Sequence, residues 1–79
     1  MDKKLVHLNK LAMGSSSMVE NLMAEGITRR RMLDLGLIHG TTIKSLIKSP
    51  AGDPIAYEIR GTVIALRREV ASKILVREI

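Results

Sequence analysis

The chain has 79 residues, with 13 Lys and Arg against 8 Asp and Glu, for a formal charge of +5. That length predicts a single domain over residues 1–79, burying about 60–65% of its unfolded surface and leaving little room for an enclosed active site. Without cysteine, a disulfide framework and a thiolate metal site are both excluded. A basic balance raises nucleic acid as a partner, but single-strand binders add aromatic platforms for base stacking, and Tyr57 is the sole aromatic residue. No apolar run approaches the roughly 20 residues needed to span a bilayer, and the N-terminus shows no signal-peptide pattern, so a soluble protein is expected.

From the N-terminus, Met1 to Lys4 is polar and expected to fray. Leu5, Leu8, Leu11 and Ala12 recur at helical spacing and predict a short amphipathic turn before Gly14, with His7 on a face of its own at the surface. Gly14 with Ser15, Ser16 and Ser17 reads as a loop. Met18 to Ala24 has mixed periodicity that does not separate strand from helix. The flanking serines and Gly26 favour a strand, with Val19 and Met23 on one face and Met18 and Leu22 on the other.

The next stretch, Thr28 to Ile43, reads as a short helix, a stop, a tight turn and the start of a strand. Thr28 is the candidate N-cap. Gly36 suits a left-handed stop, with Leu37 folding back onto the last turn, and Gly40 permits a second reversal. At about 100° per residue, Met32, Leu33 and Leu35 cover an arc of roughly 160°, and Leu35 is expected in the core. Arg29 projects into that arc and is expected to snorkel, Arg30 lies opposite beside Asp34, and Arg31 falls at the border. Three arginines placed in a first turn would oppose the helix dipole by about 0.3–1 kcal/mol each, which points to an acidic or phosphorylated partner; a solvated basic face remains the commoner explanation of such clusters.

Thr41 to Lys48 reads as a strand with Ile43 and Ile47 inward. Ser49 to Pro54 is a hairpin connection, and Ile55, Tyr57 and Ile59 alternate with Ala56, Glu58 and Arg60 in the cleanest half-buried strand pattern of the chain. Gly61 allows a tight turn or bulge before a strand from Thr62 to Leu66, with Ile64 and Leu66 on one face. One or two helical turns over Arg67–Lys73 and a last strand over Ile74–Ile79 complete the reading. The sum is mainly β: a small SH3-like barrel of five or six strands with two or three short helices, closed or nearly closed.

An ordered set of residues carries a resemblance over nearly the whole chain. It comprises Leu8-Asn9-Lys10-Leu11 with Gly14, R-R-M-L-D-L-G-L from Arg30 to Leu37 with Gly40, Thr41 and Ile43, then Gly52-Asp53-Pro54, Ile59-Arg60-Gly61, I-A-L-R from Ile64 to Arg67, Ala71, and Ile74 with Val76. This pattern resembles the FeoA family, the small cytoplasmic component of bacterial ferrous-iron uptake, and is similar to the SH3-like C-terminal domain of iron-dependent repressors. The three serines after Gly14 depart from the more charged segment usual there. The resemblance implies a partner, the FeoB membrane iron transporter with its cytosolic GTP-binding domain, on which the protein docks and whose cycle or gating it modulates. Its association with the membrane would then run only through that transporter, in the cytoplasm, in a system of transition-metal transport.

The residues themselves carry no enzyme signature. No phosphate-binding glycine loop precedes a helix, and the serines have no histidine nearby in sequence, so no catalytic function and no small-molecule substrate are expected. The candidate metal ligands Asp2, His7, Asp34, His39, Asp53, Glu58 and Glu69 include no i, i+4 histidine pair; the expectation is no cofactor, with divalent metal held at most weakly or adventitiously. His39 is read as a turn residue with its ring at the surface. The expected partner surface is Arg29, Arg30, Arg31, Leu37, Ile38 and His39. Arg30 could serve as an arginine finger toward a GTPase, but simple docking onto an acidic surface is favoured. The alternative functions are a peptide- or metal-binding regulatory module of the repressor type and a small nucleic-acid-binding barrel. Homo-oligomerisation is left open.

Overall fold

In the computed structural model, which describes residues 4–79, the hairpin of Ile55–Ile59 (β4) and Thr62–Leu66 (β5) follows the predicted alternation. Ile55, Tyr57 and Ile59 turn inward, and Tyr57 is the largest fully buried side chain. The other strands are Leu5–His7 (β1), Ser16–Leu22 (β2), Thr42–Lys48 (β3) and Ile74–Glu78 (β6). The helices are Gly26–Asp34 (α1) and Arg68–Ala71 (α2), with a 3-10 turn over Leu8–Lys10. All strand pairings are antiparallel, in the order β1-β6-β2-β3-β4-β5. The architecture is thus mainly β, as expected. Among the described residues the ladder ends at β1 and β5, leaving two edges where a fully closed barrel has none.

Several local expectations change. The expected fraying of Met1–Lys4 lies outside the described residues except at Lys4, whose carbonyl accepts from the Glu78 N–H at 3.1 Å. Leu5 belongs to β1 and is exposed, not part of a helical turn, because pairing with β6 draws residues 5–7 into the sheet. In β2 the register shifts between Val19 and Asn21, so Val19 and Leu22 are both buried while Met18 and Met23 are exposed. That bulge places one residue more on this strand than on its partner, which is why neither strict alternation nor helical spacing fitted the segment. A second shift, between Ser45 and Ile47, keeps Ile43 and Ser45 inward and turns Ile47 out to 68% exposure, correcting its predicted inward placement.

The helix α1 begins at Gly26 with Glu25 as N-cap and no side-chain capping bond, so Thr28 is not the cap. Arg29, Arg30 and Arg31 therefore lie a turn further in than expected, and the dipole conflict argued for them falls away. Its end follows the prediction closely. Gly36 takes φ +90°, its N–H bonds the Leu33 carbonyl, and the Leu37 N–H bonds the Met32 carbonyl, both at 3.0 Å. This pair of bonds is a Schellman stop, and it throws Leu37 into the core. Leu35, just before the glycine, stays 37% exposed, which corrects its assignment to the core.

Gly36→Ala is expected to cost about 1–2 kcal/mol, since a side chain disfavours the left-handed conformation by that amount. Crowding adds to it, because a Cβ built there lies 2.5 Å from Arg60 Cδ. For a domain of this size the melting temperature should fall by about 4–8 °C per kcal/mol. An unchanged melt in calorimetry would mean that the stop does not depend on glycine.

Candidate docking surface

The surface built by α1 and the turn after it rests on β2. Arg29 Nη1 donates to the Leu22 carbonyl at 3.2 Å, tying the helix to the end of that strand. The turn is pinned from three sides. Thr41 Oγ1 donates to the Gly36 carbonyl at 2.8 Å, the Gly40 N–H to the Val19 carbonyl at 2.8 Å, and the Val19 N–H to the Thr41 carbonyl at 2.9 Å. Ile38 and His39 are held out between these anchors, Ile38 at 49% exposure and the His39 side chain at 75%. Leu33 and Leu35 add exposed apolar area on the helix side, while Arg30 and Arg31 are exposed beside them.

Glu20 organises the charge below the turn. Its carboxylate accepts from Arg77 Nε and Nη2, both at 3.3 Å, and lies 3.9 Å from His39 Nε2. The Arg77 hydrogen bonds, with the positive charge of Arg77 and the neighbouring His39 ring behind them, hold the Glu20 carboxyl below its ordinary range against the opposing effect of desolvation. The pairing across 57 positions could not be seen in the sequence. Between β2 and the turn lies a shallow cleft of about 140 Å³, whose lining includes Glu20, Arg29, Ile38 and His39.

Five of the six expected partner-surface residues are thus at the surface: Arg29, Arg30, Arg31, Ile38 and His39. Leu37 is not, because the Schellman stop seals it entirely in the core, where it can offer nothing to a partner. Sequence reading missed Arg60. It sits with Gly61 in the two-residue turn joining β4 to β5, at φ +53° and +81° respectively, the pattern of a type I′ hairpin. An Arg-Gly pair between two alternating runs was the available signal. Arg60 lays its side chain over Gly36 and lines a second open cleft, of about 530 Å³, with Lys44, Glu58 and three hydroxyl residues.

The candidate metal ligands are dispersed. His7 Nδ1 lies 2.8 Å from the Ser72 carbonyl, and Asp53 Oδ1 accepts from the Arg68 N–H at 2.7 Å. Among the described residues no group of three or more His, Asp or Glu comes together, and Asp2 lies outside them. Among the described residues, too, no helix is long and apolar enough to cross a membrane.

The chain is similar to known proteins in sequence and in fold. A curated Fe(2+) transport protein A/Fe(2+) transporter FeoB fusion protein of Porphyromonas gingivalis is 35% identical over 69 residues, covering 87% of this chain; the chain spans 8% of that relative's length. The solution structure of a FeoA-like protein from Clostridium acetobutylicum superposes with a TM-score of 0.88 at 37% identity, over 100% of this chain and 91% of that one. A zinc-complexed FeoA of Stenotrophomonas maltophilia, described as a prokaryotic SH3 domain protein and a candidate activating factor for ferrous iron transport, matches at TM-score 0.78 and 29% identity, over 87% and 86% of the two chains. A manganese-dependent transcriptional repressor shares the fold alone, with a TM-score of 0.86 at 16% identity over 100% of this chain and 44% of its own. The SH3-like fold and its likeness to the repressor domain are therefore as expected. The FeoA domain model matches residues 6–78, and the chain belongs to the FeoA family.

Proposed function

We propose that this chain is a non-enzymatic, cytoplasmic accessory of bacterial ferrous-iron transport that docks on the cytosolic part of a FeoB-type GTPase transporter and modulates it. The observation that carries the reading is the fusion protein, in which a domain 35% identical to this chain shares one polypeptide with such a transporter. Covalent linkage makes an encounter intramolecular, which is useful only if the two parts work together. The docking face is the surface of Arg29, Arg30, Arg31, Ile38 and His39: Ile38 shares a cleft with Arg29 and His39, and Arg30 and Arg31 are exposed on the adjoining helix, an arrangement suited to an acidic partner surface with an apolar pocket. Modulation requires only that one transporter state be bound better than another. No cofactor is needed for such a role.

Titrating the chain into a purified full-length FeoB-type transporter, with GTP hydrolysis followed in parallel, tests this. Saturable binding with a changed hydrolysis rate is the expected result. Absence of binding up to the solubility limit of the chain overturns the reading.

A further inference from the structure

The open edge at β5 has a geometry of its own. Since only two residues separate Ile59 from Thr62, that pair exchanges backbone hydrogen bonds, and so do Tyr57 with Ile64 and Ile55 with Leu66. The intervening pairs, Glu58 with Val63 and Ala56 with Ala65, do not. The N–H and C=O groups of Val63 and Ala65 consequently face away from β4, and β5 has no strand on that side among the described residues. The outer face along this edge is largely apolar, with Glu58 as the charged neighbour opposite Val63. Val63 is 64% exposed, Ala65 pairs with Ala56, and Ala56 with Ile47 at 68% exposure, so a strip of small and aliphatic side chains crosses three strands. No lysine or proline within Thr62–Leu66 blocks the edge, which are two of the usual protections.

The charge at its C-terminal end selects the occupant. Arg67 and Arg68 follow β5 directly, and a second copy of this +5 chain would bring its own cations to the same edge. Like charges brought together across a strand pair destabilise it. Arg60 is turned away from this edge, its side chain lying over Gly36 on the β3 side of β4. Among the described residues no carboxylate lies within ion-pair distance of Arg67 or Arg68, although Asp53 and Glu69 are near in sequence, and both arginines are exposed. They are available to an incoming strand of opposite sign.

We propose that the β5 edge receives an extended strand from another protein, with apolar residues alternating through its centre and a carboxylate at the end that meets Arg67 and Arg68. The added strand takes up the Val63 and Ala65 backbone groups, extends the apolar strip, and sets its acidic end against the Arg67–Arg68 pair. This mode does not depend on the identity of the protein that carries the strand, and it uses a surface other than the α1 face.

An end-capped peptide, Glu-Thr-Val-Thr-Val-Thr-Glu, is the probe, titrated into the labelled chain while backbone amides are followed by NMR. Weak saturable binding is expected, with the amides of Val63 and Ala65 shifting and becoming slower to exchange. The same peptide with lysine at both ends should bind about tenfold more weakly, a difference of about 1.4 kcal/mol. Ala65→Pro removes an outward N–H without touching the β4 ladder and should abolish binding. Val63→Lys supplies the same test should the proline variant fail to fold. Amide shifts confined to the α1 face, equal binding of the lysine-ended peptide, or self-association of the chain that Val63→Lys abolishes would each overturn the proposal.

Discussion

Tyr57→Ala is expected to remove a large share of the stability of this protein. Tyr57 is fully buried in β4, and truncating a buried aromatic side chain to alanine costs about 3–5 kcal/mol. A chain of this length is stable by about 4–12 kcal/mol in all. Chemical denaturation should show the midpoint falling steeply toward lower denaturant, and a native-like midpoint would mean that the core repacks around the hole. Tyr57→Phe keeps the ring and loses only the hydroxyl that donates to the Leu8 carbonyl at 3.4 Å, for about 0.5–1.5 kcal/mol.

The same residue gives the fold an alkaline limit. Burial, with the negative charge of Asp53 behind it, pushes the Tyr57 phenol up to about 12. In the unfolded chain the phenol ionises near pH 10, whereas the folded protein retains the neutral form, so the contribution is fully present below about pH 10 and is lost as pH rises toward about 12. Comparing wild type with Tyr57→Phe across that window isolates the effect from the titrating lysines. Equal slopes in the two proteins would show that Tyr57 is not its source.

Changing Arg30 and Arg31 together to Glu is expected to weaken transporter binding by about 10- to 100-fold, from two reversed charges at roughly 0.7–1.4 kcal/mol each. Both side chains are exposed and neither makes an ion pair among the described residues, so the melting curve should move little. Arg29 is left alone in this test because its bond to the Leu22 carbonyl helps to hold α1 in place. Unchanged affinity would reject the docking face. Arg30→Ala alone separates docking from a finger: loss of GTPase stimulation at full affinity marks a finger, and proportionate loss of both marks docking.

What could be read in advance followed the parity of each segment. Ile55, Tyr57 and Ile59 alternate without interruption, so strand and inward face were both visible. Glu20 and Leu46 each sit at a register shift, and one such residue inverts every side chain after it, which is how Ile47 came to be placed on the wrong face. β1 is three residues long, too short for any period to show, and its pairing with the far end of the chain is a tertiary fact. At the end of α1 the glycine was visible, but its exchange of the inward position from Leu35 to Leu37 follows from the geometry of the stop rather than from helical spacing. The cationic cluster of the proposed docking face, Arg29 to Arg31, is plain in the sequence. The Glu20–Arg77 pair beneath it joins residues far apart in the chain, and nothing local announces it.

The side chain of Arg60 occupies the volume that any substituent at position 36 would need. The two sites therefore share one parcel of space, and their substitutions should not be independent. Alanine at 36 is expected to be better tolerated when 60 is glycine or asparagine, residues that also accept the backbone conformation found there. A library diversified at both sites and selected for folding should recover the two choices as a correlated pair, linking the end of the helix to the hairpin turn across 24 positions of chain.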